Sequence, residues 1–161
     1  MTGSADPSSA WLHGLRLYLG AMAVGNLIWE VLQLPLYTIW DTGTSREQVF
    51  AVAHCTLGDL LIALATLILA LVIAGHPGWP RSRFWPVAVL TIAFGAAYAV
   101  FSEWLNMVVR AAWAYSDRMP SVSLLGTTMG LSPLLQWIVV PAAAFRIARG
   151  MTLKYSDGGP Q

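Results

Sequence analysis

The chain has 161 residues, of which 57% are hydrophobic and only 11% charged, with a formal net charge of +1. Soluble domains carry about a quarter charged residues, so the composition points to a membrane protein, and the near-neutral balance gives no basis for a nucleic-acid partner. A single cysteine, Cys55, excludes an internal disulfide and a cysteine-rich metal centre.

One domain over residues 1–161 is expected, an all-α integral membrane bundle of four transmembrane helices. Residues 1–10 are small and polar with Pro7, and are expected to lack structure. The first twenty residues have no basic start followed by a compact apolar run, so no cleaved signal peptide is expected. The first span is predicted over about 14–40. Inside it, Asn26, Glu30 and Gln33 lie four and three apart, with Tyr37 four further on, which places one polar stripe on a lipid-compatible helix. Pro35 is expected to kink the last turn. A polar loop, 41–47, leads to a second span over about 50–75. Residues 60–80 carry no charge, a length that crosses a hydrocarbon core of about 30 Å, while His54, Cys55, Thr56 and Asp59 crowd its first turns.

A tight basic turn, 77–83, precedes a third span over about 84–110, in which Gly95, Ala96, Ala97 and Ala99 offer a small-residue face for close packing. That span closes on Glu103, Asn106 and Arg110, spaced three and four apart and therefore stacked in one column of a regular helix. Residues 111–131 form a long connection holding Trp113 and Tyr115. Long loops without structure of their own are uncommon and often act as lids, and this one is expected to cover the mouth of a pocket with one of those rings turned inward. Ser132 reads as the N-cap and Pro133 as the first residue of a fourth span over about 132–149. The tail beyond it is expected to be mobile.

Basic residues set the expected orientation. Arg16, Arg81, Arg83, Arg146, Arg149 and Lys154 fall on the side of the termini, against Arg46, Arg110 and Arg118 on the other, which predicts cytoplasmic termini in a bacterial inner membrane. Trp11, Trp79, Trp85 and Tyr155 would then mark the inner interface. Trp40, Trp113 and Tyr115 would mark the outer one.

In this orientation Glu30, Asp59 and Glu103 each lie roughly 10–14 Å inside the outer boundary, at 1.5 Å per residue, with Gln136 somewhat shallower. Amides inside a membrane also hold helices together, at about 0.6–2 kcal/mol per hydrogen bond, and Asn26, Gln33, Asn106 and Gln136 fit that use as well as a binding role. Carboxyl groups are a costlier adhesive and more often functional. Three at one depth predict a shared pocket opening outward, with Glu103, Glu30, Asp59 and His54 as the reacting groups. Asn26, Gln33, Trp104, Asn106, Arg110, Trp113, Tyr115, Gln136 and Trp137 are the binding candidates. His54 and Asp59 are five residues apart, about 140° around a helix, so they cannot both point to the bundle axis equally. Arg110 is expected to offset one acid, directly or through Asn106. Cys55 reads as a small buried hydrophobe. No Glu-x-x-His pair, phosphate loop, nucleophile elbow or redox cysteine pair occurs, so no metal or cofactor is expected.

The expected function is binding of a lipid-like or isoprenoid-like molecule in an outward-facing polar pocket, with acid–base isomerisation, hydration or cyclisation as the chemistry. The expected partners are membrane lipids and a lipophilic small molecule. Two alternatives use the same residues differently: a non-catalytic membrane subunit or assembly factor whose acids bind a partner's helix, and a proton-coupled carrier acting as a homo-oligomer. The segment Glu30-Val-Leu-Gln-Leu-Pro35 is similar to a stretch in the EXPERA group of four-helix sterol-binding and sterol-isomerase membrane proteins, which also use buried acids. The likeness is confined to that segment, which falls here in the first span with a different loop pattern, and no residue's role is taken from it.

Overall fold

A computed structural model describes residues 7–124 and 126–157, and the side chains of 11–124 and 126–152. The chain is mostly helical. Four helical segments, Trp11–Leu36, Ser45–Ala74, Phe84–Val109 and Leu131–Thr152, are long and apolar enough to cross a membrane.

The first helix, α1 (Pro7–Gln33), starts inside the stretch expected to lack structure; residues 1–6 lie outside the described ones. It ends earlier than the expected kinked span because Pro35 cannot donate to the helix ladder. The chain tightens into a 3-10 turn over Leu34–Leu36 and becomes extended at Tyr37 (φ −112°, ψ 150°). A single helical turn follows, α2 (Ile39–Thr42).

The long helix α3 (Ser45–Ala74) begins five residues before its expected start. Its N-cap is Thr44, whose hydroxyl accepts from the Glu47 N–H at 3.3 Å while the Glu47 carboxylate accepts from the Thr44 N–H at 2.8 Å. This reciprocal box satisfies donors that a helix start leaves orphaned. Helix α4 (Phe84–Trp104) runs into a π-helical turn over Leu105–Val109, in which the Arg110 N–H reaches back five residues to the Leu105 carbonyl at 2.9 Å.

The connection that follows is not structureless, and among the described residues it is where the chain departs from all-α. It contains an antiparallel hairpin, β1 (Ser121–Leu124) against β2 (Thr127–Gly130), with Ser121 opposite Gly130 and Gly126 at φ 75° in the turn. The last helix, α5 (Leu131–Asp157), leaves β2 directly. It extends past the expected end at 149, while residues 158–161 and the side chains of Lys154 and Tyr155 lie outside the described parts.

Helix α5 packs on α1 and α4 at two glycines where a Cβ would not fit. At Gly95 it would sit 2.4 Å from Cε3 of Trp137, and at Gly25 2.8 Å from Cγ1 of Val140. Small residues let helix backbones approach closely where lipid provides no hydrophobic drive for association.

The bundle differs between its ends. At the end of the 75–83 turn, Tyr18, Leu67, Ala70, Phe84, Phe145 and Trp79 are fully packed. Trp79, expected at the membrane interface, is instead only 2% exposed and stacks edge-on against Trp11 at 6.3 Å. At the end of the 111–131 connection the first half of α3, residues 45–62, has no buried residue at all, whereas its second half buries Ala63, Thr66, Leu67 and Ala70.

Candidate functional site

Between the first half of α3, the end of α1 and the end of α4 lies a cavity of about 1180 Å³. Glu30, Gln33, His54, Asp59, Glu103, Asn106, Arg110, Trp113, Gln136 and Trp137 all line it. It therefore gathers ten of the thirteen candidates, and Asn26, Trp104 and Tyr115 stand outside its lining.

The hub is Gln136, one turn into α5 and 2% exposed. Its Nε2 donates towards Asp59 Oδ2 at 2.8 Å, Asn26 Oδ1 at 3.0 Å and Glu30 Oε1 at 3.1 Å. An amide nitrogen carries two hydrogens, so three acceptors share them. Its Oε1 accepts from Gln33 Nε2 at 3.2 Å, and the same Gln33 nitrogen donates to Glu30 at 2.8 Å. Ser132 completes the mesh by donating to Gln33 Oε1 at 2.8 Å and accepting from the Trp29 indole at 3.2 Å. Ser132, read from sequence as a cap, thus lies inside α5 and spends its hydroxyl on α1.

The Glu30 and Asp59 carboxyl groups meet beside this amide, both accepting from the same Nε2. Asn26 stands behind Gln136 at 1% exposure, its Nδ2 buried without a partner.

Glu103 occupies the opposite wall and is held from outside the cavity. The Tyr115 hydroxyl donates to Glu103 Oε2 and accepts from the Gly130 N–H at 2.9 Å. Because the backbone N–H supplies the second of these hydrogens, the single phenolic hydrogen is free for the carboxylate. Trp113 turns its indole N–H towards the same wall, buried and without hydrogen-bond geometry to any acceptor.

Arg110 does not take the role expected of it. The π turn adds a residue to the helix repeat, which rotates Arg110 out of the Glu103 column. It is exposed, and Arg118–Asp41 at 3.0 Å is the ion pair found among the described residues. Asn106 likewise turns back along its own helix, its amide donating to the Ser102 carbonyl at 2.9 Å. Trp104 faces outward, 41% exposed, against Phe101. Asp59, rather than His54, joins the polar mesh. His54 is exposed at the cavity's edge and stacks on Phe50 at 5.6 Å.

The connection over the site is strapped down. Tyr37 pairs with Tyr115 as an isolated antiparallel bridge, the Thr38 N–H donates to the Ala114 carbonyl at 3.0 Å, and the Ser116 N–H donates to the Leu36 carbonyl at 2.9 Å. Tyr37, a site residue that sequence reasoning did not single out, lines the cavity between the two acidic walls. Burial first, and then the charge of Glu103, hold its phenol well above the ordinary tyrosine range. Burial, and then the hydrogen bond to Glu103, do the same for Tyr115. Both remain neutral hydroxyl groups at any physiological pH. The signal for Tyr37 was present in the Asn26–Glu30–Gln33–Tyr37 stripe, which continues in space although the helix does not.

Among the described residues no cluster of three His, Cys, Asp or Glu has metal-holding geometry. The chain matches no family model, and no curated protein or solved structure matches it either.

Proposed function

We propose that this chain is a multi-pass protein of a bacterial inner membrane, with cytoplasmic termini, whose cavity binds a lipid-like or isoprenoid-like molecule and performs acid–base chemistry on it. The carrying observation is that three acids from three helices converge on one large cavity between apolar helices, none paired with a cation among the described residues. Ionisable groups at such depth are costly unless used.

The two walls differ in what they do with protons. In this reading the Glu30–Asp59 pair carries one proton beside Gln136, and Glu103 accepts from Tyr115. In an isomerisation, the pair delivers a proton to one carbon of a double bond. Glu103 removes one from the carbon next to the other end of that bond, so the bond moves and the composition is unchanged. Return of that proton to the pair resets the site. Tyr37, neutral and between the walls, orients the reacting part, and Gln136 holds the donor pair in place.

The test is purification in mild detergent followed by native mass spectrometry. A defined lipophilic mass should travel with the wild-type protein and be lost from Glu103→Gln with the fold retained. If Glu30→Gln, Asp59→Asn and Glu103→Gln together left the bound mass unchanged and only raised the melting temperature, the acids would serve helix or partner contacts alone.

A further inference from the structure

The cavity has two conceivable openings, and they differ in construction. The one facing the 111–131 connection is crossed by backbone bonds from Thr38 and Ser116, by the Tyr37–Tyr115 bridge and by the Arg118–Asp41 ion pair. Between the first half of α3 and α4, which both line the cavity, nothing comparable is found among the described residues. Among the described residues no hydrogen bond joins the first half of α3 to α4, and that half of α3 is tied to the bundle through Asp59 and Gln136 on its other side. His54 on α3 and Tyr98 on α4 are both exposed and both line the cavity. Gly58 lies on the cavity side of α3, and a Cβ built there meets nothing within 4 Å. A side chain at that position would stand in open space.

Resting on the binding reading above, we propose that the cavity is loaded sideways from the bilayer, through the gap between the first half of α3 and α4. The ligand is a single-chain amphiphile with a small uncharged hydrogen-bonding head. The head seats between the Glu30–Asp59 pair and Glu103, and the tail trails out past Gly58 and Tyr98 into lipid. The connection is then a strut that stays closed, and its straps fix Tyr115 on Glu103 rather than gating access. An apolar chain has every reason to remain in lipid, since each methylene moved through water adds to the cost of transfer. Only the head needs to enter a polar site.

The probe is a long-chain alcohol carrying an alkyl diazirine beside its hydroxyl. The full chain is reconstituted in lipid nanodiscs, the probe is supplied in the bilayer, the sample is irradiated and adducts are mapped by tandem mass spectrometry. Adducts are expected on Glu30, Asp59 or Glu103. Gly58→Phe, which fills the gap, should lower them at least five-fold with the melting temperature retained. Tyr98→Ala, an exposed truncation that widens the gap and keeps the fold, should speed their appearance at least two-fold. Asp41→Ala, which cuts the strap, should leave them unchanged. Adducts that rise in Asp41→Ala and ignore both Gly58→Phe and Tyr98→Ala would overturn sideways loading. A parallel sample loaded in detergent before reconstitution separates the two readings. Acid adducts there but none from the bilayer would sink the route alone, and none in either sample would sink the binding site itself.

Discussion

The two ends of this bundle are built from the same four helices and solve different problems. At the 75–83 turn, Trp79, Tyr18, Phe84 and Phe145 interlock, and Arg149 lies over the Phe84 ring at 4.9 Å. At the other end α3 buries nothing along eighteen residues, 45–62, and the space it leaves is lined by acids, amides and tyrosines. Close packing maximises dispersion contacts and leaves no room for a ligand. A cavity forfeits those contacts and must be held open by groups that satisfy one another. Close packing therefore belongs to the first end and the cavity to the second, and the molecule can be taken apart along that line.

The largest effect is expected at the packed end. Trp79→Ala should cost about 3–5 kcal/mol, the range for emptying a buried aromatic site. Detergent melting curves would register it, with ligand retention unchanged well below the transition. Loss of ligand in parallel with partial unfolding would show that the two ends are not separable.

Next comes the hub of the open end. Gln136→Leu leaves the Asn26 carbonyl and the donor pair without their shared amide, at about 1–3 kcal/mol for a buried group stripped of its partner. Ligand retention should fall much further than stability. A variant more stable than wild type that still holds its ligand would reduce the mesh to dispensable adhesive.

Tyr115→Phe should cost about 1 kcal/mol, one hydrogen bond, and weaken ligand turnover through Glu103. It also carries a pH signature. Both Tyr37 and Tyr115 are raised above their unfolded values, so the unfolded chain loses these protons first. Their contribution is complete below pH of about 10 and declines as pH rises beyond it. Melting temperature against pH should bend downward above about 10 in the wild type, and less steeply in Tyr115→Phe. Equal slopes would mean that Tyr115 is not held neutral by its surroundings.

The smallest effect belongs to the strap. The Arg118–Asp41 pair is more than half exposed on both sides, so Arg118→Ala should cost within about 0.2–1 kcal/mol and become silent in high salt. A loss as large as that of Gln136→Leu would make the strap a principal support of the open end.

Much of this was readable along the chain, for a physical reason. Four long apolar runs are local facts, and so are the polar stripe from Asn26 to Tyr37 and the acids at matching distances from the helix ends. Periodicity and the 1.5 Å rise convert such facts into faces and depths without knowledge of neighbours. The Thr44–Glu47 capping box was equally local and lay in plain view just before a span expected to start later.

What the chain alone did not decide is which of the stacked groups find partners. Glu103, Asn106 and Arg110 form a column only on a regular α-helix, and the π turn at Leu105–Val109 removes Arg110 from it. The proton donor that reaches Glu103 instead is a tyrosine twelve residues on, delivered by a connection pinned to the end of α1. Gln136 read as a shallow amide and became the hub because Gly25 and Gly95 let α5 approach both neighbours closely. Depth and face are properties of one helix and follow from sequence. Partnership depends on how close and at what rotation several helices meet, and that is set by packing contacts spread over the whole chain, so only the tertiary structure decided it.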